Sequence, residues 1–272
     1  MRLQKIQISR RGQWLNDLAR NFGFCYTAFR IITGKECSDM RKNTTRSALL
    51  VIDMENAFIS KNSSLCNPMA ESTIPACIRA VNSARDMSIP VFFVKRIYRS
   101  DGSDVEYTRH RRWEDGGRPL GPSSIGECSA QAPEGLRPMR GDYTIIKPRF
   151  SAFFHTELDL ILRRLQVKTV ILCGTATPNC IRTTAYDAIS LDYEVLILED
   201  CCSSITQEIQ NANLADMERI GVQLMTSAQF EGYREASVGN TAQAILEEIE
   251  ASDIAPEPFS DSQSDVRSID RW

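Results

Sequence analysis

The stretch 170–191, VILCGTATPNCIRTTAYDAISL, places the tightest constraint on how this 272-residue chain can fold. It opens with the apolar run 170–173, short enough for a strand buried on both faces, and Gly174 then breaks the run. Thr177 followed by Pro178 reads as a helix start. The Thr hydroxyl accepts from an orphan backbone N–H as N-cap, and Pro suits the first helical position because it has no N–H to leave unpaired. Cys180 is then the third helical residue, inside a first turn whose free N–H groups favour an anion. Its thiol is expected to ionise more readily than a free Cys, whose pKa is roughly 8.5. Cys173, inside the strand, reads as a small buried hydrophobe.

The rest of the core repeats this strand-then-helix unit. SALLVIDM, from Ser47, is a buried run that ends in Asp53. A helix is expected from after Pro68 to about Met87, with Ile74, Ile78 and Val81 as its inward face. PVFFVKRIY (90–98) is a second strand, and 143–146 a short third with Lys147 at its end. After a helix over 156–165 and the 170–191 element, EVLILED (194–200), a helix around 205–220 and VQLMT complete the alternation. Such a pattern predicts an α/β fold with a single doubly wound, mostly parallel sheet and helices on both faces. Ligands of open α/β sheets bind at the carboxyl ends of the strands, so Asp53, Lys147 and Cys180 gather at one chemically useful edge. Lys147 lies among Phe150, Phe153 and Phe154, where partial burial requires an anionic partner.

Between 99 and 141 the pattern dissolves into Gly, Pro and charge, as expected of a lid or binding loop. Its cluster Arg109-His110-Arg111-Arg112-Trp113 is flanked by acids at 101, 104, 106, 114 and 115 and reads as internally paired.

Composition narrows the partners. A net charge of −3 argues against a general nucleic-acid binder, which needs a concentrated basic face. No apolar run approaches the roughly 20 residues of a membrane span. Nine Cys at irregular spacing, including the vicinal Cys201-Cys202, do not form a disulfide framework, and a reducing, cytoplasmic setting is expected. Residues 1–46 hold ten Lys/Arg against three acids, a basic N-terminal extension, helical or disordered, whose alternative reading is an organelle-targeting segment. The expected domain spans 47–236, and 237–272 reads as a short helix and an acidic disordered tail.

The order Asp…Lys…Cys, with LLVIDMENAF, IIKPRFSAFFHTELDLIL and VILCGTATPNCIRTTAYDA, resembles the isochorismatase-like cysteine hydrolases over roughly 47–230. That family includes nicotinamidases and N-carbamoylsarcosine, biuret and ureidoacrylate amidohydrolases. The resemblance implies an Asp53–Lys147–Cys180 triad and a cis peptide between Thr175 and Ala176. It also implies an oxyanion hole from the N–H groups of Ala176 and Cys180. Cys180 would attack a small amide or ureido carbonyl to form a thioester, with Asp53 shuttling the proton. Nicotinamidases carry a metal cluster of Asp and His after the first catalytic Asp. This chain has only His110 and His155, so neither metal nor other cofactor is expected. Cys180 also argues against vinyl-ether hydrolysis, found in members that lack it. A homo-oligomer, dimer or tetramer, is expected. Different in class are a member that only binds a small molecule, and a thiol-redox protein in which Cys201 or Cys202 resolves Cys180. By position, Phe58, Arg96, Tyr98 and Phe150 face the substrate, and Trp113 closes over them. Arg96 either clamps a substrate carboxylate with its planar fork or pairs with Asp101 or Glu106 of the loop.

Overall fold

Six apolar runs become the strands of one sheet in the computed structural model, which describes residues 46–234 and 241–252. They are β1 (Ser47–Ile52), β2 (Val91–Arg96), β3 (Tyr143–Lys147), β4 (Thr169–Thr175), β5 (Glu194–Ser203) and β6 (Gln223–Met225). Between and after them come α1 (Asn56–Ile59), α2 (Ala70–Asp86), α3 (Tyr107–Asp115), α4 (Leu158–Arg164), α5 (Arg182–Ser190), α6 (Gln207–Arg219), α7 (Ser227–Phe230) and α8 (Thr241–Ala251). The strand order is β3-β2-β1-β4-β5-β6, and every pairing is parallel.

Burial on both faces follows from the continuous apolar runs. On one face Ala48, Leu50 and Ile52 of β1 join Phe92, Val94, Val170 and Leu172 beneath Leu158 and Leu162 of α4, Ala185 and Ala188 of α5, and Leu214 and Met217 of α6. The alternate residues Leu49 and Val51, also buried, lie on the opposite face, where α2 packs against β1, β2, β4 and β5. Each fully buried Leu, Ile or Val contributes about 1.5–3 kcal/mol relative to leaving it exposed. The face of α2 differs from expectation. Thr73, Cys77, Ala80, Val81 and Ala84 are buried, whereas Ile74 and Ile78 are only half-buried. Small side chains on that face let the helix approach the sheet closely.

Two further departures matter for the site. The 99–141 segment contains α3, held by Trp113, which is buried with Ala57, Tyr98, Val105 and Leu120 in a satellite core. β5 runs past Asp200 to Ser203 and takes Cys201 and Cys202 into the sheet. Residues from 233 onward form a separate unit containing α8. The basic N-terminal extension and most of the acidic tail lie outside the described residues. No helix among the described residues is long and apolar enough to cross a membrane.

From β1 the chain moves outward to β2 and β3, then returns to β4 beside β1 and continues the other way. β1 and β4 therefore flank a topological switch point, where doubly wound sheets open a crevice at their carboxyl ends. Gly174 sits in that crevice, at a register shift between β4 and β5, and is paired with Ile52. Its φ is 117°, and a Cβ there would collide with the Ile52 carbonyl oxygen. Gly174→Ala is therefore expected to cost about 2–4 kcal/mol. Gly117→Ala, at φ 79° with open space around it, should cost only the left-handed backbone penalty of about 1–2 kcal/mol. Thermal unfolding of the two variants checks this, and equal losses would show that contact with β1 is unimportant.

Candidate active site

Three strand ends converge at the switch point. Asp53 follows β1 with φ 52°, in the left-handed region that Asp tolerates better than most non-glycine residues. Its N–H donates to Val94 O at 2.9 Å, which ties the turn to β2. Lys147 ends β3, in register with Arg96 of β2. Both side chains are fully buried. Lys147 Nζ donates to Asp53 Oδ2 at 2.8 Å, to Cys180 Sγ at 3.5 Å and to Arg149 O at 3.2 Å. All three ammonium protons thus have acceptors, the condition under which a buried lysine stays charged. Asp53 Oδ1 is buried and accepts no hydrogen bond among the described residues.

Cys180 lies in a wide turn, Thr177–Ile181, that enters α5. The N-cap is Ala176 rather than Thr177. The Thr177 hydroxyl instead donates to Ser203 O at 3.1 Å, anchoring the turn to β5. The Thr175–Ala176 peptide is cis. Cys180 is 5 % exposed, and the expectation of a readily ionised thiol does not hold. Burial, then the Asp53 charge, push its pKa above the ordinary value, against opposing pulls from Lys147 and Arg96. The resting centre is thus a neutral thiol beside an ion pair. Glu55 was not anticipated, although it stands only two residues after Asp53. It is buried, accepts from Arg96 N at 3.2 Å, and burial, then the Asp53 charge, push its pKa well above the ordinary value.

A cavity of about 140 Å³ opens onto the thiol, lined by Asp53, Phe58, Asn67, Phe150, Ala176 and Cys180, and by Arg109 and Arg112 of α3. Of the expected pocket residues, Phe58 and Phe150 line this cavity. Three other expected pocket residues do not line the cavity. Arg96 is committed to the loop, with NH1 donating to Glu106 Oε1 at 2.7 Å and to Tyr98 OH at 2.8 Å. Of its two expected roles, pairing with an acid is the one found, and the acid is Glu106. Its NH2 stands 4.0 Å from Cys180 Sγ. Tyr98 is buried and donates to Glu106 Oε2 at 2.9 Å. Trp113 is a core residue whose Nε1 donates to Pro119 O at 2.8 Å, not a lid. Cys201 and Cys202, proposed as resolving thiols, are buried in β5 and line no part of this cavity. Arg109 and Arg112 line the cavity, contrary to the expectation that their cluster is internally paired. Their i, i+3 spacing, which puts them on one helical face, was the available signal.

An acid, a base and a thiol thus meet at the switch point of an all-parallel α/β sheet. The isochorismatase domain model matches residues 47–229, and the chain belongs to that family. A protein named "Probable inactive nicotinamidase" of Arabidopsis thaliana is 39% identical over 189 residues, covering 69% of this chain and 95% of its own length. Ureidoacrylate amidohydrolase RutB of Yersinia enterocolitica is 31% identical over 172 residues, covering 58% of this chain and 75% of that enzyme. The crystal structure of an isochorismatase family protein from Desulfovibrio vulgaris superposes with a TM-score of 0.65 at 36% identity, covering 69% of this chain and 97% of that one.

The thiol's surroundings set its pH response. Alkylation of Cys180 by iodoacetamide should still accelerate past pH 9, because burial and Asp53 disfavour the thiolate. Lys147→Met removes a charge that favours the thiolate, so it should shift the profile further upward. A rate that levels off near neutral pH, or a downward shift in the variant, contradicts this electrostatic account.

Proposed function

We propose that this protein is a metal-independent cysteine hydrolase that cleaves the C–N bond of a small amide or ureido compound through a thioester on Cys180. The observation that carries the reading is that Lys147 Nζ donates both to Asp53 Oδ2 at 2.8 Å and to Cys180 Sγ at 3.5 Å, while Asp53 and Cys180 line the cavity. On substrate binding, Cys180 passes its proton to Asp53, whose Oδ1 is unoccupied by hydrogen bonds among the described residues. Lys147 and Arg96 hold the resulting thiolate, which attacks the carbonyl carbon. The N–H groups of Ala176 and Cys180 receive the developing oxyanion. Collapse expels ammonia or an amine, which takes the proton back from Asp53. Water then gives a proton to Asp53 and attacks the thioester. As the second tetrahedral adduct breaks down, the thiolate leaves and recovers that proton.

The cavity supports a small substrate, since about 140 Å³ is well below the roughly 300–1,000 Å³ of pockets for drug-sized ligands. Ureidoacrylate hydrolysis by the Yersinia relative supports C–N cleavage. No metal takes part in the proposed steps, and among the described residues no three His, Cys, Asp or Glu could hold one. The second reading, binding without turnover, draws on the name of the Arabidopsis relative. Ammonia release across ureido acids, biuret, nicotinamide and simple amides separates the two. At least one compound should be turned over, and EDTA should leave the rate unchanged. Cys180→Ala and Asp53→Asn should each lower kcat by about 10³-fold or more. Binding of a compound by wild type with no hydrolysis of any, or full activity in Cys180→Ala, would reject the proposal.

A further inference from the structure

We propose that Arg109 and Arg112 form an anion subsite on the cavity wall, selecting substrates that carry a carboxylate beside the scissile amide or ureido group. In speaking of substrates the inference rests on the hydrolase reading. Both arginines lie on α3 three residues apart, and both line the Cys180 cavity. Arg109 is half-buried, and its guanidinium lies over the Phe150 ring at 5.3 Å, a contact that orients it against the cavity wall.

Neighbouring arginines are already matched to acids: Arg111 to Asp115 at 4.0 Å, Arg118 to Glu114 at 2.8 Å and Arg96 to Glu106 at 2.7 Å. Arg109 and Arg112 are in no ion pair among the described residues. Arg112 NH2 donates only to a neutral group, Ser64 O, at 3.0 Å. Glu106 feels the Arg109 charge, but its carboxylate oxygens are held by Arg96 and Tyr98. The one carboxylate lining the cavity, Asp53, is held by Lys147. Two arginines, Arg109 half-buried and Arg112 exposed, therefore line a small cavity whose own acid is already paired with Lys147. An incoming carboxylate matches a planar guanidinium fork bidentately. The volume of about 140 Å³ leaves room for that group and little beyond one amide or ureido unit.

Iodoacetate and iodoacetamide test this directly, since they differ only in presenting a carboxylate or a carboxamide to the same thiol. The ratio of their rates at Cys180, read by peptide mapping at low ionic strength, is compared between wild type and the Arg109→Gln/Arg112→Gln double variant. Normalising to iodoacetamide on the same protein cancels changes in thiol ionisation or cavity access. The ratio should fall by roughly tenfold or more in the double variant, as for a lost charge-assisted hydrogen bond, and by a lesser factor in each single variant. Those single variants also serve if the double variant fails to fold. An unchanged ratio, or a wild-type Cys180 that iodoacetamide labels and iodoacetate does not, would overturn the subsite. Alkylation needs no turnover. Failure of the hydrolase reading would instead appear as a wild-type protein that hydrolyses no amide while this ratio still responds to the arginines.

Discussion

The buried ion pair between Lys147 and Asp53 is the interaction on which the rest of the centre depends. Removing two charges from water costs several kcal/mol per ion, and attraction offsets this only when geometry and hydrogen bonding are nearly complete. The fold supplies that geometry by placing Asp53 directly after β1 and Lys147 at the end of β3, with β2 between the two strands. Lys147 uses its remaining protons on Arg149 O and Cys180 Sγ, so the bonds that stabilise the pair also fix the thiol. Substituting either partner would leave a buried charge uncompensated, and folding and chemistry would suffer together.

A second, largely buried pair ties the 99–141 loop to this centre. Glu106 immediately precedes α3 and holds Arg96, whose other edge approaches the thiol. This ion pair and the buried Trp113 together hold α3, and with it the arginines that line the cavity. Phe150 lies between the two layers, with Arg96 at 4.9 Å and Arg109 at 5.3 Å from its ring. The thiol's high pKa fits the same scheme. In the proposed mechanism, a neutral Cys180 beside a Lys–Asp pair keeps its proton until substrate arrives and then passes it to Asp53.

Much of this was legible in the sequence because local chemistry decides it. Runs such as SALLVI and TVILCGT are too short and too apolar to be anything but buried strands, and an acid, a base and a thiol that follow such runs fall at one sheet edge. Tertiary context hid the rest. α3 carries no apolar periodicity beyond Trp113, so its helix became visible only once the satellite core was formed. Thr177 looks like a cap until β5 brings Ser203 O to its hydroxyl. The thiol's pKa departs from expectation for the same reason: its helical position is visible in the chain, whereas the burial that outweighs it is not. Arg96 and Glu106 lie ten residues apart across a loop, and no pattern in that interval shows which acid the guanidinium takes.

The central claim is that Cys180 carries the acyl group between two chemical steps. Intact-protein mass spectrometry of enzyme quenched in acid during turnover of an amide or ureido substrate tests it most directly. The account predicts an adduct equal in mass to the substrate less its leaving amine, mapped to the Cys180 peptide and released by hydroxylamine. Steady turnover with no adduct at any quench time, or with the adduct on another residue, would contradict it.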